Sequence, residues 1–267
     1  DLDQDIAIED LTVGQMKDFQ SYLIGEGLRM NTISLYNREL RAVYNYALDE
    51  EIIQMDKRPF RKSFTGQEKT RKRAVDGGVV KRLAILSLID KEMLGFARDL
   101  FLFSIYMQGM PFIDMAYLKK EQVRNGCITY QRRKTNRQLR VKIHPQAQII
   151  IDRYMVSDPG CPYLFPILYD PEKKTEREYS SALRVYNKRL DSLSSLLELD
   201  EPLTSYVARH TWASLARQCG TSDTVISEAM GHSHVGVTTI YLASLDIGMV
   251  AMANQRVITS LFRKRIP

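Results

Sequence analysis

The chain has 267 residues, enough for one large domain or two of ordinary size, and its 38 Lys and Arg residues outnumber 32 Asp and Glu residues. The resulting charge of +6 favours polyanionic partners such as nucleic acid, although many unrelated basic proteins share it. Its three scattered cysteines, Cys127, Cys161 and Cys219, form no Cys-x-x-Cys pair, which argues against a disulfide scaffold or zinc ribbon and fits a reducing cytoplasm.

The chain starts at Asp1 without a methionine, in an acidic run that lacks the composition of a signal peptide, so we expect that an upstream domain has been removed.

The first predicted element is a helix capped by Thr12. Gly25 and Gly27 are predicted to end this helix. Its apolar residues recur at helical spacing: Val13, Met16, Phe19, Tyr22 and Leu23.

A second helix is predicted from about Asn31. Arg29, Arg38 and Arg41 are predicted to lie on its outer face. The residues predicted to face inward are Ile33, Leu35, Tyr36, Leu40, Val43, Tyr44, Ala47 and Leu48. Periodicity alone favours interpreting the two helices as an ordinary helical hairpin.

A basic and irregular stretch follows the two helices. Glu68 is its single acidic residue, against eight basic ones: Lys57, Arg58, Arg61, Lys62, Lys69, Arg71, Lys72 and Arg73. Pro59, Gly66 and the Gly77-Gly78 pair indicate irregular structure. The stretch is either a solvated linker or a cationic strap that crosses a phosphate backbone.

Helical periodicity resumes at Val79, and a long helix is predicted from Lys91 to Met107. The most apolar stretch of the chain, Leu100–Leu118, is interrupted by a glutamine, a proline and an aspartate, so no membrane span is expected.

The apolar period then changes to two, which predicts a β-hairpin. Its strands cover Cys127–Arg132 and Leu139–Ile143, and its polar tip runs from Lys134 to Arg137. It is the only sheet that the sequence predicts. Three elements follow it: a helix from Ala147, a proline-rich loop from Ser157 to Glu178, and a helix from Ser180.

Three residues near the carboxy end appear in an informative order: Arg209 in an Arg-His pair, His232 in a Gly-His pair, and then Tyr241. Arg209 lies at the start of a predicted helix, and His232 follows one predicted over Asp223–Met230. Each residue alone is ordinary, as a surface salt bridge, a structural histidine or a packed tyrosine. Together they supply fixed cationic donors and a nucleophile, which metal-free attack on a phosphodiester requires.

This order resembles the carboxy-terminal signature of the tyrosine recombinase (phage-integrase) family. The phrases GMPFIDMAYLKK and LTSYVARHTWA are similar to those of integrases from conjugative transposons and related mobile elements. The resemblance implies that Tyr241 attacks DNA to give a 3′-phosphotyrosyl enzyme, while Arg209 and His232 stabilise the charge. Lys134, in a Lys-Thr step, matches the family's hairpin lysine, which protonates the departing 5′ oxygen.

The chain also departs from the family pattern. Asp114 matches the family's acidic residue, but Pro111 stands where the arginine three positions earlier belongs. Tyr206 occupies the place of a histidine; a phenol can donate to a phosphate oxygen but is no base near neutral pH. Strand alternation predicts that Arg132 leaves the same hairpin face as Lys134. We hypothesise that Arg132 replaces the missing arginine, with binding of the DNA backbone as the alternative and Arg133 pointing away.

The resemblance covers nearly the whole chain and implies a mainly α fold. Residues 1–58 would form a helical core-binding lobe that binds DNA, residues 59–74 a basic linker, and residues 75–267 an α-rich catalytic lobe with a small antiparallel β-sheet. The residues expected to bind DNA are Arg38, Arg41, Lys57, Arg58, Arg61, Lys62, Arg71, Lys72 and Arg73.

The implied function is site-specific cleavage and rejoining of DNA strands, for integration or excision of a mobile element. The expected partners are a double-stranded recombination site, three further copies in a homotetramer on two duplexes, and an accessory DNA-bending protein; no membrane is expected. Neither ATP nor a metal would be needed, because the phosphotyrosyl bond conserves energy. Two rivals remain: a type IB topoisomerase, which relaxes supercoils as a monomer, and a DNA-binding relative with impaired catalysis.

The tail after Tyr241 is amphipathic. Its apolar residues are Ile247, Val250, Met252, Val257, Ile258, Leu261 and Phe262. The sequence is compatible with docking on a neighbouring protomer and with folding back on its own lobe.

Overall fold

The computed structural model describes residues 5–66, 68, 74–170, 172–231 and 247–262. The chain divides into two units, Asp1–Arg71 and Lys72–Pro267, each with its own hydrophobic core. Within the described ranges the fold is mainly helical with small antiparallel sheets, which confirms the predicted class. Of the helices described, none is long and apolar enough to span a bilayer.

The first unit is built on two helices, α1 (Val13–Gly25) and α2 (Met30–Asp49). Thr12 caps α1, as predicted. Its hydroxyl accepts the N–H of Gln15, whose side chain in turn accepts the N–H of Thr12, a reciprocal capping box. α1 begins directly after its predicted cap, and α2 begins one residue before the predicted start at about Asn31.

The core of the first unit extends beyond the predicted boundary at residue 58. Phe60, in a 3₁₀ turn over Pro59–Lys62, is buried and packs edge-on against Tyr44 with ring centroids 5.7 Å apart. The backbone N–H of Phe64 donates to Gln20 of α1 at 3.0 Å. The first residues of the predicted linker thus belong to this unit, because an apolar side chain anchors them in its core.

The predicted inward face of α2 is wrong in part. Ile33, Tyr44 and Ala47 are buried, whereas four of the other predicted residues are exposed: Leu35, Tyr36, Leu40 and Val43. At 3.6 residues per turn the apolar residues cover more than half of the helix circumference, and only a narrow strip of them meets the core. Periodicity identified the helix but not how much of its apolar surface is covered.

The second unit begins with α3 (Gly77–Ile85), α4 (Glu92–Tyr106) and α5 (Phe112–Ala116). The side chain of Asp76 accepts the N–H groups of Gly78 and Val79, so the Gly77-Gly78 pair starts a helix and not, as predicted, an irregular segment. α4 is buried over most of its length. It packs against α3 and against three later helices of the same unit, which are described below.

The predicted hairpin is present as β2 (Cys127–Gln131) and β3 (Gln138–Lys142), with Thr129 opposite Arg140. Two features were not predicted. A short strand, β1 (Val123–Arg124), pairs with the other edge of β2. The predicted loop contains a small pair, β4 (Tyr169–Asp170) and β5 (Thr175–Glu176). Strands of two residues carry too little periodicity to be seen in a sequence.

Three helices pack on α4, namely α6 (Pro145–Tyr154), α7 (Tyr179–Leu196) and α8 (Val207–Gln218), and a fourth, α9 (Asp223–Met230), packs on α8. α9 has the predicted bounds and is capped at its C-terminal end by Gly231, which adopts a left-handed conformation with φ of 64°. α8 buries its apolar side in the core through Trp212, which is fully buried.

The last described helix, α10 (Ile247–Phe262), packs on its own unit, against α3, α8, α9 and β3. Val250, Val257, Ile258 and Leu261 are buried there. Buried Asn254 fixes the packing: its Oδ1 accepts the Trp212 indole N–H at 3.0 Å, and its Nδ2 donates to the Tyr106 carbonyl at 2.6 Å. In this structure the tail takes the second of the two predicted arrangements.

Candidate active site

Arg209 lies in the first turn of α8 and is 4% exposed. Its guanidinium donates from Nη1 to the carbonyl oxygen of Gly109 at 2.8 Å and from Nη2 to that of Met230 at 2.7 Å. Burial, and secondarily the nearby charge of Arg132, lower its pKa to about 10. The side chain therefore remains cationic near neutral pH while two backbone carbonyls fix its orientation.

The loop between α4 and α5 places one of those carbonyls. Gln108 and Gly109 both have positive φ, 61° and 72°, and the N–H of Gly109 donates to the carbonyl of Ser104 at 2.8 Å. The hydroxyl of Ser104 donates to the carbonyl of Met110 at 2.7 Å. These bonds turn the chain back on α4, so that the Gly109 carbonyl faces Arg209.

A second buried arginine, Arg132, follows β2 and is 5% exposed. Its Nη1 lies 3.2 Å from Oδ2 of Asp114, which is itself buried at the start of α5. The pair is not aligned for a hydrogen bond, and Nε and Nη1 of Arg132 have no hydrogen-bond partner among the described residues. An oxyanion is the ligand that would satisfy such donors.

Asp114 contacts both the Arg132 side chain and the backbone at the base of the hairpin turn. Its Oδ1 accepts the backbone N–H of Arg133 at 3.0 Å. Burial raises the pKa of the Asp114 carboxyl, against opposing effects from the Arg133 N–H and the Arg132 guanidinium. Among the described residues, Asp114 thus contacts the Arg132 guanidinium and also feels the charge of buried Arg209, which leaves an excess of positive charge in this region.

The hairpin tip does not continue the strand alternation that was predicted. β2 ends at Gln131, and residues 133–135 form a turn, closed by the N–H of Asn136 donating to the carbonyl of Arg132 at 2.8 Å. Arg132 is buried and Lys134 is exposed, so the expected common face is wrong because the chain leaves the strand between them. Arg133 does point elsewhere, with its guanidinium 3.7 Å above the Tyr117 ring.

The other side of the tip contacts α9. The hydroxyl of Thr135 donates to the carbonyl of Gly231 at 3.0 Å, and Arg137 forms an ion pair with Glu228. A Cβ on Gly231 would meet Leu139 at 3.0 Å and Arg132 at 3.1 Å, so the hairpin and the end of α9 are in close contact. Gly231 directly precedes His232 in the sequence.

Tyr206 lies at the N-cap of α8 and is 49% exposed. Its ring stands edge-on to that of His210, with centroids 4.8 Å apart. The structure thus brings Arg209, Arg132, Asp114 and the hairpin together and places Tyr206 at the adjoining helix end. His232 and Tyr241 lie outside the described residues.

The candidate DNA-binding residues of the first unit that the structure describes are all exposed: Arg38, Arg41, Lys57, Arg58, Arg61 and Lys62. Lys57 lies 3.4 Å from Asp10, and Arg58 lies 3.8 Å from Asp56. Both ion pairs are at the surface, where such contacts are weak. Arg71, Lys72 and Arg73 lie outside the described residues.

The described part of the chain contains no cluster of three or more His, Cys, Asp or Glu residues that could hold a metal ion. Sequence reasoning missed three contributors to the site: the carbonyls of Gly109 and Met230, and the hydroxyl of Thr135. Backbone carbonyls leave no sequence signal. Thr135 had one, because it adjoins Lys134 at the predicted tip.

Two family models match the chain. The model described as the phage integrase family matches residues 81–246, and that described as the phage integrase SAM-like domain matches residues 2–64. A search of curated proteins finds no significant match.

Solved structures with a similar fold share little sequence with the chain. The Tn1549 transposon integrase in complex with transposon right end DNA is 13% identical with a TM-score of 0.69, over 94% of this chain and 87% of that one. A lambda integrase dimer bound to a COC′ core site is 14% identical with a TM-score of 0.65, over 91% and 83%. A lambda integrase tetramer bound to a Holliday junction is 16% identical with a TM-score of 0.65, over 89% and 66%.

Proposed function

The chain belongs to the phage integrase family of tyrosine recombinases, enzymes that break and rejoin DNA strands, and we propose that it does so through a 3′-phosphotyrosyl intermediate on Tyr241. The phenol loses its proton to water, its oxygen bonds to the phosphorus, and the bond from phosphorus to the 5′ oxygen breaks. Lys134 gives a proton to the departing oxygen. Arg209 and His232 stabilise the charge that builds up on the phosphate, and Tyr206 donates to one of its oxygens.

Arg132 takes the role of the family's arginine, whose position in this chain is occupied by Pro111. The observation that carries the proposal is the burial of Arg132 and Arg209 beside one carboxylate, with two nitrogens of Arg132 lacking hydrogen-bond partners among the described residues. Charge-assisted hydrogen bonds from guanidinium groups are among the strong contacts that a phosphate can accept. Asp114 has a positioning part, because it contacts both the Arg132 guanidinium and the backbone of the turn that carries Lys134.

The substrate that fits these features is a double-stranded recombination site of a mobile element, which the enzyme would integrate or excise as a homotetramer on two duplexes. The exposed basic residues of the first unit, with Arg71, Lys72 and Arg73, would contact the phosphate backbone, where they set affinity and register but not sequence preference. An accessory DNA-bending protein is a further expected partner, and the expected location is the cytoplasm.

A nicked suicide substrate tests this function. The short downstream fragment, which carries the free 5′ hydroxyl, diffuses away after cleavage, so the covalent enzyme–DNA adduct accumulates. We expect an adduct with the unmodified chain and none with Tyr241→Phe, while Tyr46→Phe, a matched change at an exposed tyrosine of the first unit, keeps it. A chelator should leave the yield unchanged. Retained DNA binding without an adduct under any condition would instead identify a binding protein that has lost catalysis.

Oligomeric state separates a recombinase from a topoisomerase. Four copies on two duplexes, measured by mass on DNA that carries the site, would support recombination. Relaxation of supercoiled DNA by a monomer, without a partner site, would contradict it.

A further inference from the structure

The two residues that flank Lys134 are attached to two different helices. On one side, the backbone N–H of Arg133 donates to Asp114 of α5 at 3.0 Å. On the other side, the hydroxyl of Thr135 donates at 3.0 Å to the carbonyl of Gly231, which caps α9. Lys134 is thus held through its neighbours, at both ends, and not through its own side chain.

The contact with α9 has a second component one turn earlier in that helix. Arg137, at the far end of the hairpin turn, forms an ion pair with Glu228. Both side chains are about one-third exposed, 37% for Arg137 and 30% for Glu228, so the pair is partly shielded from water. Two side-chain contacts therefore connect the turn to the end of α9. The partners in these contacts are 91 and 96 residues apart in sequence.

The turn itself is closed by bonds of its own. The N–H of Arg132 donates to the carbonyl of Arg137, and the N–H of Asn136 donates to the carbonyl of Arg132, both at 2.8 Å. Asn136 has φ of 56°, in the left-handed region that asparagine tolerates best after glycine. These bonds hold the turn together as one unit, and its attachments to α5 and α9 set its position.

Lys134 needs such support. It is exposed, and it forms no ion pair with any residue in the part of the chain that the structure describes. A lysine ammonium on a four-carbon stem has many rotamers, so the position of its backbone sets how often it reaches a given oxygen. The Thr135 contact ends on Gly231, which directly precedes His232 in the sequence.

We propose that Thr135 and Glu228 are positioning residues for proton transfer by Lys134, acting as a latch between the hairpin turn and the end of α9. The proposal rests on the proposed function, in which Lys134 is the general acid. Without the latch the turn keeps its hydrogen bond to Asp114 of α5, and the Lys134 ammonium lies within reach of the 5′ oxygen less often. The scissile phosphate is still bound by Arg209 and Arg132, so the loss falls on the leaving group.

A substrate with sulfur in place of the bridging 5′ oxygen isolates this step. A thiol has a pKa of about 8.5, so a thiolate departs without a proton and does not need a general acid. The test compares the rate of covalent adduct formation on the 5′-oxygen and 5′-sulfur substrates for the full chain and its variants. Lys134→Ala serves as the reference, with a large loss on oxygen that sulfur restores.

Thr135→Val removes the hydroxyl and keeps the shape of the side chain. We expect a loss of about 10-fold to 100-fold on the oxygen substrate, typical of a misplaced catalytic group, and a rate within about 2-fold of the unmodified chain on the sulfur substrate. Thr135→Ser keeps the donor and should retain the rate on both. Thr129→Val, the same change within β2, is the matched control and should have no effect on either.

Glu228→Gln weakens the second contact on a partly exposed surface, so it tests the latch even where Thr135→Val unfolds. Its loss should be smaller and equally specific to the oxygen substrate. Equal losses on both substrates, or no loss with either variant, would overturn the latch. A chain that forms no adduct, or a Lys134→Ala defect that sulfur does not restore, would instead contradict the proposed function itself.

Discussion

Gly109 lies directly against Arg209, although the two are separated by 100 residues in sequence. Its carbonyl oxygen accepts Nη1 of Arg209 at 2.8 Å, and a Cβ on Gly109 would lie 3.2 Å from both Cα and Cγ of the arginine. The glycine thus supplies an acceptor and the space that the arginine needs. The positive φ of 72° adds a second reason for glycine here.

Gly109→Ala should therefore displace Arg209. We expect a loss of about 1–3 kcal/mol in the free energy of unfolding, from strain and overpacking, and a fall of at least about 10-fold in adduct formation. Gly126→Ala is the matched control, because Gly126 has φ of 67° and nothing within 4 Å of the added Cβ. Urea denaturation and the suicide substrate measure the two effects; equal results for both variants would count against the role of this contact.

Arg132 and Arg133 are adjacent arginines whose replacement is expected to impair different steps. Arg132→Ala should abolish cleavage, and it should cost about 3 kcal/mol of stability because Asp114 loses its buried partner. Arg133→Ala should mostly weaken DNA binding. Adduct formation and DNA affinity, measured at one salt concentration, distinguish them.

Arg132→Lys separates catalysis from folding, because it keeps the charge but not the guanidinium fork. We expect the Lys variant to fold and to cleave slowly. Mild and similar effects of changing Arg132 and Arg133 would show that Arg132 does not replace the missing arginine.

Asn254 should be the most sensitive polar residue of α10. Asn254→Ala leaves the indole N–H of Trp212 and the carbonyl of Tyr106 without their partner in the core. We expect a loss of about 2–3 kcal/mol in the free energy of unfolding. Met252→Ala, at an exposed position on the same helix, should cost less than about 0.5 kcal/mol. Similar costs for the two variants would mean that α10 is not held by its buried asparagine.

His144 makes stability depend on pH. It caps α6, where its Nδ1 accepts the N–H of Gln146 at 3.2 Å, and burial lowers its pKa, partly opposed by a hydrogen bond with Gln255. The unfolded chain therefore takes up the proton at higher pH than the folded one. The stability from neutral His144 is present above about pH 6.5 and is lost as the pH falls through the lower folded pKa.

Asparagine caps a helix without titrating, so His144→Asn should lose less stability between pH 7.5 and pH 5 than the unmodified chain. Urea denaturation at the two pH values gives the comparison. The other three histidines are the same in both proteins, so any contribution from them cancels in the difference. An unchanged difference would show that His144 is not the group responsible.

The sequence predicts best what depends on neighbouring residues. The cap at Thr12 and the bounds of α9 follow from local spacing, and so does the pairing of β2 with β3. These elements are stabilised by contacts between residues a few positions apart, which a periodic pattern records.

The arrangement of the site depends on contacts across the chain. Arg132 was singled out from strand alternation, yet it reaches the site because the chain leaves the strand after Gln131 and turns towards Asp114. The exposed apolar residues of α2 were placed in the core for a related reason, since periodicity does not tell which side of a helix finds a partner. Neither outcome is encoded within one element.

The hydrogen bond between Trp212 and Asn254 also provides an optical probe. Trp212 is the only tryptophan in the chain, it is fully buried, and it lies on the helix that carries Arg209. Release of α10 would let water reach the indole, which would shift its emission to longer wavelength and quench it. Intrinsic fluorescence, without any label, would therefore report whether α10 leaves or keeps its place on its own unit when DNA is added.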